Sequence, residues 1–147
     1  MVYSPGERLF REGQPGHDML IIESGEVWIF KETPLGEKID INTLKAGDTL
    51  GEMALVDSEK RSAFATASTE VHAYQIQRKD FMKLRNQMSP AFFKLMQKIA
   101  LITCGRVRSL SDKIMREVTG EEAPAEDKAE EQSQPKWMGL WKRIIGS

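Results

Sequence analysis

Gly51, Glu52, Arg61 and Ser62 are the residues of this chain whose types and spacing could do chemistry. They stand in the run Asp48-Thr49-Leu50-Gly51-Glu52-Met53-Ala54-Leu55-Val56, a polar loop through Lys60, and then Arg61-Ser62-Ala63. Gly47-Asp48 and Gly51-Glu52 read as tight backbone punctuation after a strand, and Met53 to Val56 has room for about one helical turn. A helix opening at glycine presents unpaired N–H groups near Gly51, Met53 and Ala54, and the positive end of its dipole. Both favour an anion. Arg61 then returns with a guanidinium that can fork onto two oxygens, and Ser62 adds a hydroxyl beside it. On residue types alone, Glu52 and Arg61 could equally pair with each other. No other chemistry is as legible. His17 and His72 lack ligand-spaced neighbours, which leaves no basis for a metal centre. No nucleophile–base pair is readable either, so the chain reads as neither an enzyme nor a metalloprotein.

The elements that must position these residues are mostly short strands. Leu20-Ile21-Ile22 and Val27-Trp28-Ile29-Phe30 flank Glu23-Ser24-Gly25-Glu26 and read as a hairpin. Thr33-Pro34-Leu35-Gly36 marks another turn. Ile39 to Asn42 and Val71 to Ile76 alternate with the period of a half-buried strand. Gly6, Gly13, Gly25 and Gly47 read as turn glycines, whereas Gly51 has a second reason to be glycine, close backbone approach to a ligand. From Arg78 the pattern becomes helical, with the helices expected over 79–118. A short helix around Phe81 and Leu84 ends before Ser89, and Ser89-Pro90 caps and opens a second, longer one. That helix carries Phe92, Met96, Ile99, Thr103, Val107, Leu110, Ile114 and Val118 at alternating three- and four-residue steps. Part of the stripe should pack on the strands, and the rest could pair with a second copy as a homodimer. Gly105 within it predicts a bend or a close contact. The fold class expected is mainly β, an antiparallel β-roll or jelly roll holding a short helix, followed by a short and a long α-helix.

Gly-Glu-x-Ala-Leu (Gly51 to Leu55), a loop, and Arg-Ser-Ala (Arg61 to Ala63) together resemble the phosphate-binding cassette of cyclic nucleotide-binding domains. Such domains occur in bacterial catabolite activator proteins, protein kinase A regulatory subunits and nucleotide-gated channels. The resemblance runs from about Tyr3 to about Val118. It includes Pro5-Gly6-Glu7, Glu12-Gly13 and Gly25-Glu26-Val27 upstream, and Phe81-Met82-Lys83-Leu84 and Pro90 downstream. It implies a regulatory module that binds a cyclic nucleotide, cAMP ahead of cGMP. Glu52 would accept from the ribose 2′-hydroxyl, and Arg61 would pair with the equatorial phosphate oxygens. Ser62 would donate to the same phosphate, and backbone around Gly51, Met53, Ala54 and Ala63 would complete the cradle. A helix after the roll caps the base in this family, which makes Thr103 and Arg108 the polar candidates here; Thr103 also lies on the apolar stripe, as a satisfied buried hydroxyl would. Lys60 departs from the proline that often precedes the arginine. The helical segment that usually precedes the first strand has no counterpart, because Met1 lies only a few residues before Pro5. No helix-turn-helix follows the long helix, unlike catabolite activators.

Composition sets the outer limits. A chain of 147 residues with 40% hydrophobic and 29% charged residues suits one domain with appendages. A net charge of -1 gives no electrostatic footprint for nucleic acid. The lone Cys104 points to a reducing compartment, and Met1 to Pro5 lacks the basic-then-apolar pattern of a signal peptide. No apolar run approaches the ~18 residues of a membrane span, so the location expected is cytoplasmic, with a peripheral membrane contact as a further option. The organisation expected is a nucleotide-binding domain over 1–118 (roll 1–78, helices 79–118) and an acidic, disordered linker over 119–136. An amphipathic tail follows over 137–147. In that tail Trp137, Leu140, Trp141, Ile144 and Ile145 share one face, with Lys136, Lys142 and Arg143 opposite. It reads as a docking peptide for a partner protein, a membrane-surface anchor, or a segment returning to its own domain. If the tail were the active part, the roll would be a non-sensing scaffold.

Overall fold

The computed structural model describes residues 1–120. Eight strands and three helices follow in the order β1 (Val2–Tyr3), β2 (Arg8–Phe10), β3 (Asp18–Ser24), β4 (Val27–Glu32), β5 (Lys38–Leu44), β6 (Thr49–Leu50), α1 (Glu52–Asp57), β7 (Phe64–Ala67), β8 (Val71–Gln77), α2 (Arg78–Asn86) and α3 (Pro90–Thr119). The strands form two four-stranded antiparallel sheets, ordered β1-β8-β3-β6 and β2-β7-β4-β5. The mainly β roll with a short internal helix and a long last helix is the expected fold class.

β3 explains why the roll needs helices behind it. Its residues alternate between two cores: Leu20 and Ile22 join Val27, Leu44, Leu50, Ala65 and Val71 between the sheets. Met19 and Ile21 face the other way, onto Leu55 of α1, Phe81 of α2, and Leu95 and Ile99 of α3. Successive side chains of a strand point to opposite faces, so an unbroken apolar run marks burial on both. Each such side chain, fully buried, contributes about 1.5–3 kcal/mol.

The hairpin expected between Leu20-Ile22 and Val27-Phe30 does not form. β3 pairs with β8 and β6, whereas β4 pairs with β5 and β7 in the other sheet. The Glu23–Glu26 link is therefore a crossing between layers, packed against the return crossing from β7 to β8. A Cβ on Gly25 would lie 2.1 Å from the Glu70 carbonyl oxygen, so this glycine admits a neighbouring chain as well as a φ of +89°. The turn at Thr33 to Gly36 does close a hairpin, between β4 and β5, through Gly36 N–H to Thr33 O at 2.9 Å.

α3 begins as its sequence dictates. The Ser89 hydroxyl accepts from the Ala91 N–H at 3.2 Å, and Pro90 takes the first turn, where no N–H is needed. Its first half packs on the roll through Phe92, Leu95, Met96 and Ile99, with Ile102 and Arg106 half-buried beyond them. Beyond Arg106 the apolar positions Val107, Leu110, Ile114 and Val118 are exposed, and so is Thr103. The close contact expected at Gly105 is absent: a Cβ there would meet nothing within 4 Å, and the helix runs through it unbroken. α2 starts at Arg78, where the helical pattern begins, and the Arg78 N–H bonds the His17 carbonyl at 2.7 Å. Among the described residues no helix is long and apolar enough to cross a membrane. The linker and tail expectations from residue 121 onward lie outside the described residues.

Candidate functional site

β6 ends at Leu50, Gly51 turns the chain in the left-handed region at φ +80°, and α1 begins at Glu52 with no side-chain cap. That turn needs a glycine twice over. A Cβ on Gly51 would lie 2.2 Å from Nη1 of Arg61, so the backbone there is pressed onto the arginine. Gly16, across the cassette, is held close for the same reason: its Cβ would fall 2.5 Å from Ala54 Cβ and 3.0 Å from Arg61 Nε.

Arg61 sits just before β7 and is 7% exposed. Its Nη1 donates to the carbonyl oxygens of Asp18 (2.8 Å) and Gly51 (3.1 Å), and its Nη2 forms an ion pair with the Asp18 carboxylate. The Phe10 ring covers the guanidinium at 4.4 Å, a cation–π contact. The second Asp18 oxygen accepts from Gln75 Nε2 on β8. A cavity of about 580 Å³ opens against Arg61 and Asp18, walled by Tyr3, Phe10, Gln75 and Arg78. Burial, and then the nearby Asp18 carboxylate, push the Tyr3 phenol above its ordinary pKa.

Glu52, 3% exposed, does not pair with Arg61. Its Oε1 accepts from Arg106 Nη1, and Arg106 Nη2 donates to the Thr49 carbonyl. One arginine from the roll and one from α3 thus divide the cassette between them. Three buried side-chain polar atoms lack a hydrogen-bond partner among the described residues: Arg61 Nε, Glu52 Oε2 and Thr49 Oγ1. All belong to the cassette or the strand entering it. Buried polar atoms are nearly always satisfied, so a cluster of orphans, one donor and two oxygens, marks where a polar guest fits.

Residues 1–88 match the family model of the cyclic nucleotide-binding domain. The chain belongs to that family. The cAMP-dependent protein kinase regulatory subunit of Emericella nidulans is 37% identical over 82 residues, which are 56% of this chain and 19% of that protein. The chain therefore spans about a fifth of the length of such curated relatives. A cyclic nucleotide-binding domain from Methylobacillus flagellatus superposes with a TM-score of 0.74 at 28% identity, covering 79% of this chain and 65% of that one. The regulatory domain of Toxoplasma gondii PKA, solved with cAMP, superposes with a TM-score of 0.57 at 28% identity, over 68% and 37% of the two chains. This chain is a cyclic nucleotide-binding module with the β-roll of its family.

Within this cyclic nucleotide-binding domain the cassette residues come together. Gly51, Glu52, Ala54, Arg61 and Ala63 are wholly or partly buried around the α1 start, while Met53 and Ser62 stand at its rim. The Ser62 hydroxyl lies 4.0 Å from Met53 Sδ, a weak contact that leaves the hydroxyl near the surface. Thr103 and Arg108 do not join them: both are exposed on α3, and Arg106 is the residue that α3 lays on the cassette. Counting the stripe in steps from Phe92 through Met96 and Ile99 led to Thr103. The buried face follows Leu95, Ile99, Ile102 and Arg106, the same spacing begun at Leu95 instead of Phe92 and so turned partway around the helix. Asp18 gave no such signal, because it looks like an ordinary polar strand entrance. Among the described residues no group of three or more His, Cys, Asp or Glu could hold a metal ion.

Proposed function

We propose that this domain senses cAMP in preference to cGMP and couples its capture to the docking of α3. The observation that supports this most directly is the pair of orphaned atoms, a buried cationic donor at Arg61 Nε and a buried carboxylate oxygen at Glu52 Oε2. One small molecule carrying both an anionic phosphate and a neighbouring hydroxyl would satisfy both, and a cyclic nucleotide does. Arg61 would fork onto the phosphate through Nε and the Nη2 hydrogen that Asp18 does not take, with Ser62 donating at the rim. The ribose hydroxyl would donate to Glu52 Oε2. Preference for cAMP is supported by the curated relatives, which are cAMP-dependent kinase regulatory subunits, and by the related domain solved with cAMP. As in those regulatory subunits, the role is control rather than catalysis, in the reducing cytoplasm that a lone Cys104 suits.

Coupling follows from Glu52 serving two masters. Its Oε1 holds Arg106, and through it α3; its Oε2 remains for the ligand. A ligand that fixes the Glu52 carboxylate favours the docked position of α3, and the shift extends only as far as that preference in free energy. Calorimetric titration of the wild type and of Arg61→Ala with cAMP and cGMP tests the reading. Binding of cAMP, weaker binding of cGMP and loss of both in Arg61→Ala are expected; a wild type that binds neither would overturn it.

A further inference from the structure

The second half of α3 is a well-formed helix with an uncovered apolar stripe. Val107, Leu110, Ile114 and Val118 are 61%, 59%, 54% and 77% exposed, and they lie on one side at three- and four-residue steps. The stripe runs about 17 Å at 1.5 Å per residue. Exposed apolar patches of this regularity mark an interface. The chain itself supplies an occupant of matching length and chemistry. Trp137, Leu140, Trp141, Ile144 and Ile145 recur at i, i+3, i+4, i+7 and i+8, the pattern of a helix with one apolar face.

We propose that residues 137–147 cover this stripe of α3, with the linker 121–136 returning the chain along the same helix. Gly120 ends α3 in the left-handed region at φ +69°, which turns the chain off the helix axis. The residues between that cap and Trp137 have a root-mean-square reach of about 20–24 Å, comparable to the stripe. A tether of this length sets an effective concentration on the order of millimolar, which free partners rarely match. Charge also favours the return. The linker carries Glu121, Glu122, Glu126, Asp127, Glu130 and Glu131 against Lys128 and Lys136, and the second half of α3 carries Arg108, Lys113 and Arg116 against Asp112 and Glu117, an acidic segment beside a slightly basic one. Two copies joined through the stripe would leave the tail's tryptophans uncovered. The inference is independent of the cassette.

The full chain with Trp28→Phe makes Trp137 and Trp141 the only fluorophores of their kind. Their emission should lie to the blue of a free 137–147 peptide, independent of protein concentration, and should move back to the red on Ile114→Ser. Ile114 is exposed, so that variant keeps its fold. Deleting 137–147 should speed amide exchange over 107–118 by about tenfold or more. Three results would each overturn the proposal. One is tail emission equal to the free peptide in buffer, shifting only with phosphatidylserine vesicles. Another is exchange over 107–118 indifferent to the deletion. The third is a dimer by sedimentation that Ile114→Ser dissolves while the tail emission stays unchanged.

Discussion

The two arginines of the cassette make the same kind of contact in unlike settings. Arg61 is fastened into the roll: its side chain is 6% exposed, it is covered on one face by Phe10, and its carboxylate partner Asp18 is itself held by Gln75 of β8. Arg106 reaches in from a helix, is 34% exposed, and has Glu52 and one carbonyl as its anchor. A charge pair inside rigid β-structure cannot be exchanged without leaving a buried charge alone, whereas one at the edge of a packed helix can open to water. In the sensor proposed above, the roll side of the cassette is therefore the fixed clamp, and the helix side is the part whose position a ligand would bias.

Arg61→Ala attacks the fixed side and should have the largest effect. Two charge-assisted bonds at about 1.5–3 kcal/mol each amount to a loss of roughly 100-fold or more in cAMP affinity by calorimetry. The same change strands Asp18, so the melting temperature should fall as well. Arg61→Lys should not rescue binding, since an ammonium cannot fork onto two oxygens. Gly51→Ala comes next. The left-handed turn costs an alanine about 1–2 kcal/mol, and its Cβ would displace Arg61, so stability and affinity should drop together. Glu52→Gln keeps the shape and removes the charge. In the proposed complex this removes one charge-assisted bond to the ribose, about 1.5–3 kcal/mol, or roughly tenfold to 100-fold in affinity. If Glu52→Gln and Arg61→Ala were equally harmful, the division into clamp and hinge would be wrong.

Arg106→Ala sharpens the same division from the other side. Affinity should fall by less than about tenfold, because the orphaned Glu52 oxygen and Arg61 Nε both remain. What should disappear is the ligand's effect on α3: hydrogen exchange at Ile102 to Arg108 should no longer slow when cAMP is added. An Arg106→Ala protein whose α3 still tightens with ligand would show that coupling runs through another contact.

How much of this was legible in the sequence follows the physics of each element. The cassette could be read because glycine at a positive φ, a short helix and an arginine at a strand entrance are local features, fixed within a few residues of one another. The double-faced β3 was visible as an apolar run, but its partners were not. Whether Val27 to Phe30 folds back on it or crosses to another sheet depends on β7 and β8, far along the chain. Arg106 was missed because the stripe was counted from Phe92 at the edge of the packed face instead of from Leu95 at its centre, and Thr103 and Arg108 flank the residue that arrives. Asp18 was beyond reach for a different reason: nothing local distinguishes a carboxylate that meets solvent from one that meets an arginine forty-three residues away.

The smallest expected effect separates α3's two jobs. Gly105 lies beside Arg106, in the helical region and with open space where a Cβ would go. Gly51, by contrast, has no room and a backbone that side chains disfavour. Gly105→Ala should therefore stabilise the helix by up to about 1 kcal/mol, through the lost backbone freedom of the unfolded chain. Thermal denaturation should show it as a modest rise in melting temperature. Because no described residue meets that Cβ, cAMP affinity should stay within about twofold if α3 is already helical on both sides of position 105 when the ligand is absent. A clear gain in affinity would mean that part of the ligand's binding energy goes into ordering α3 at this point, which would move the hinge from the Glu52–Arg106 contact into the helix itself.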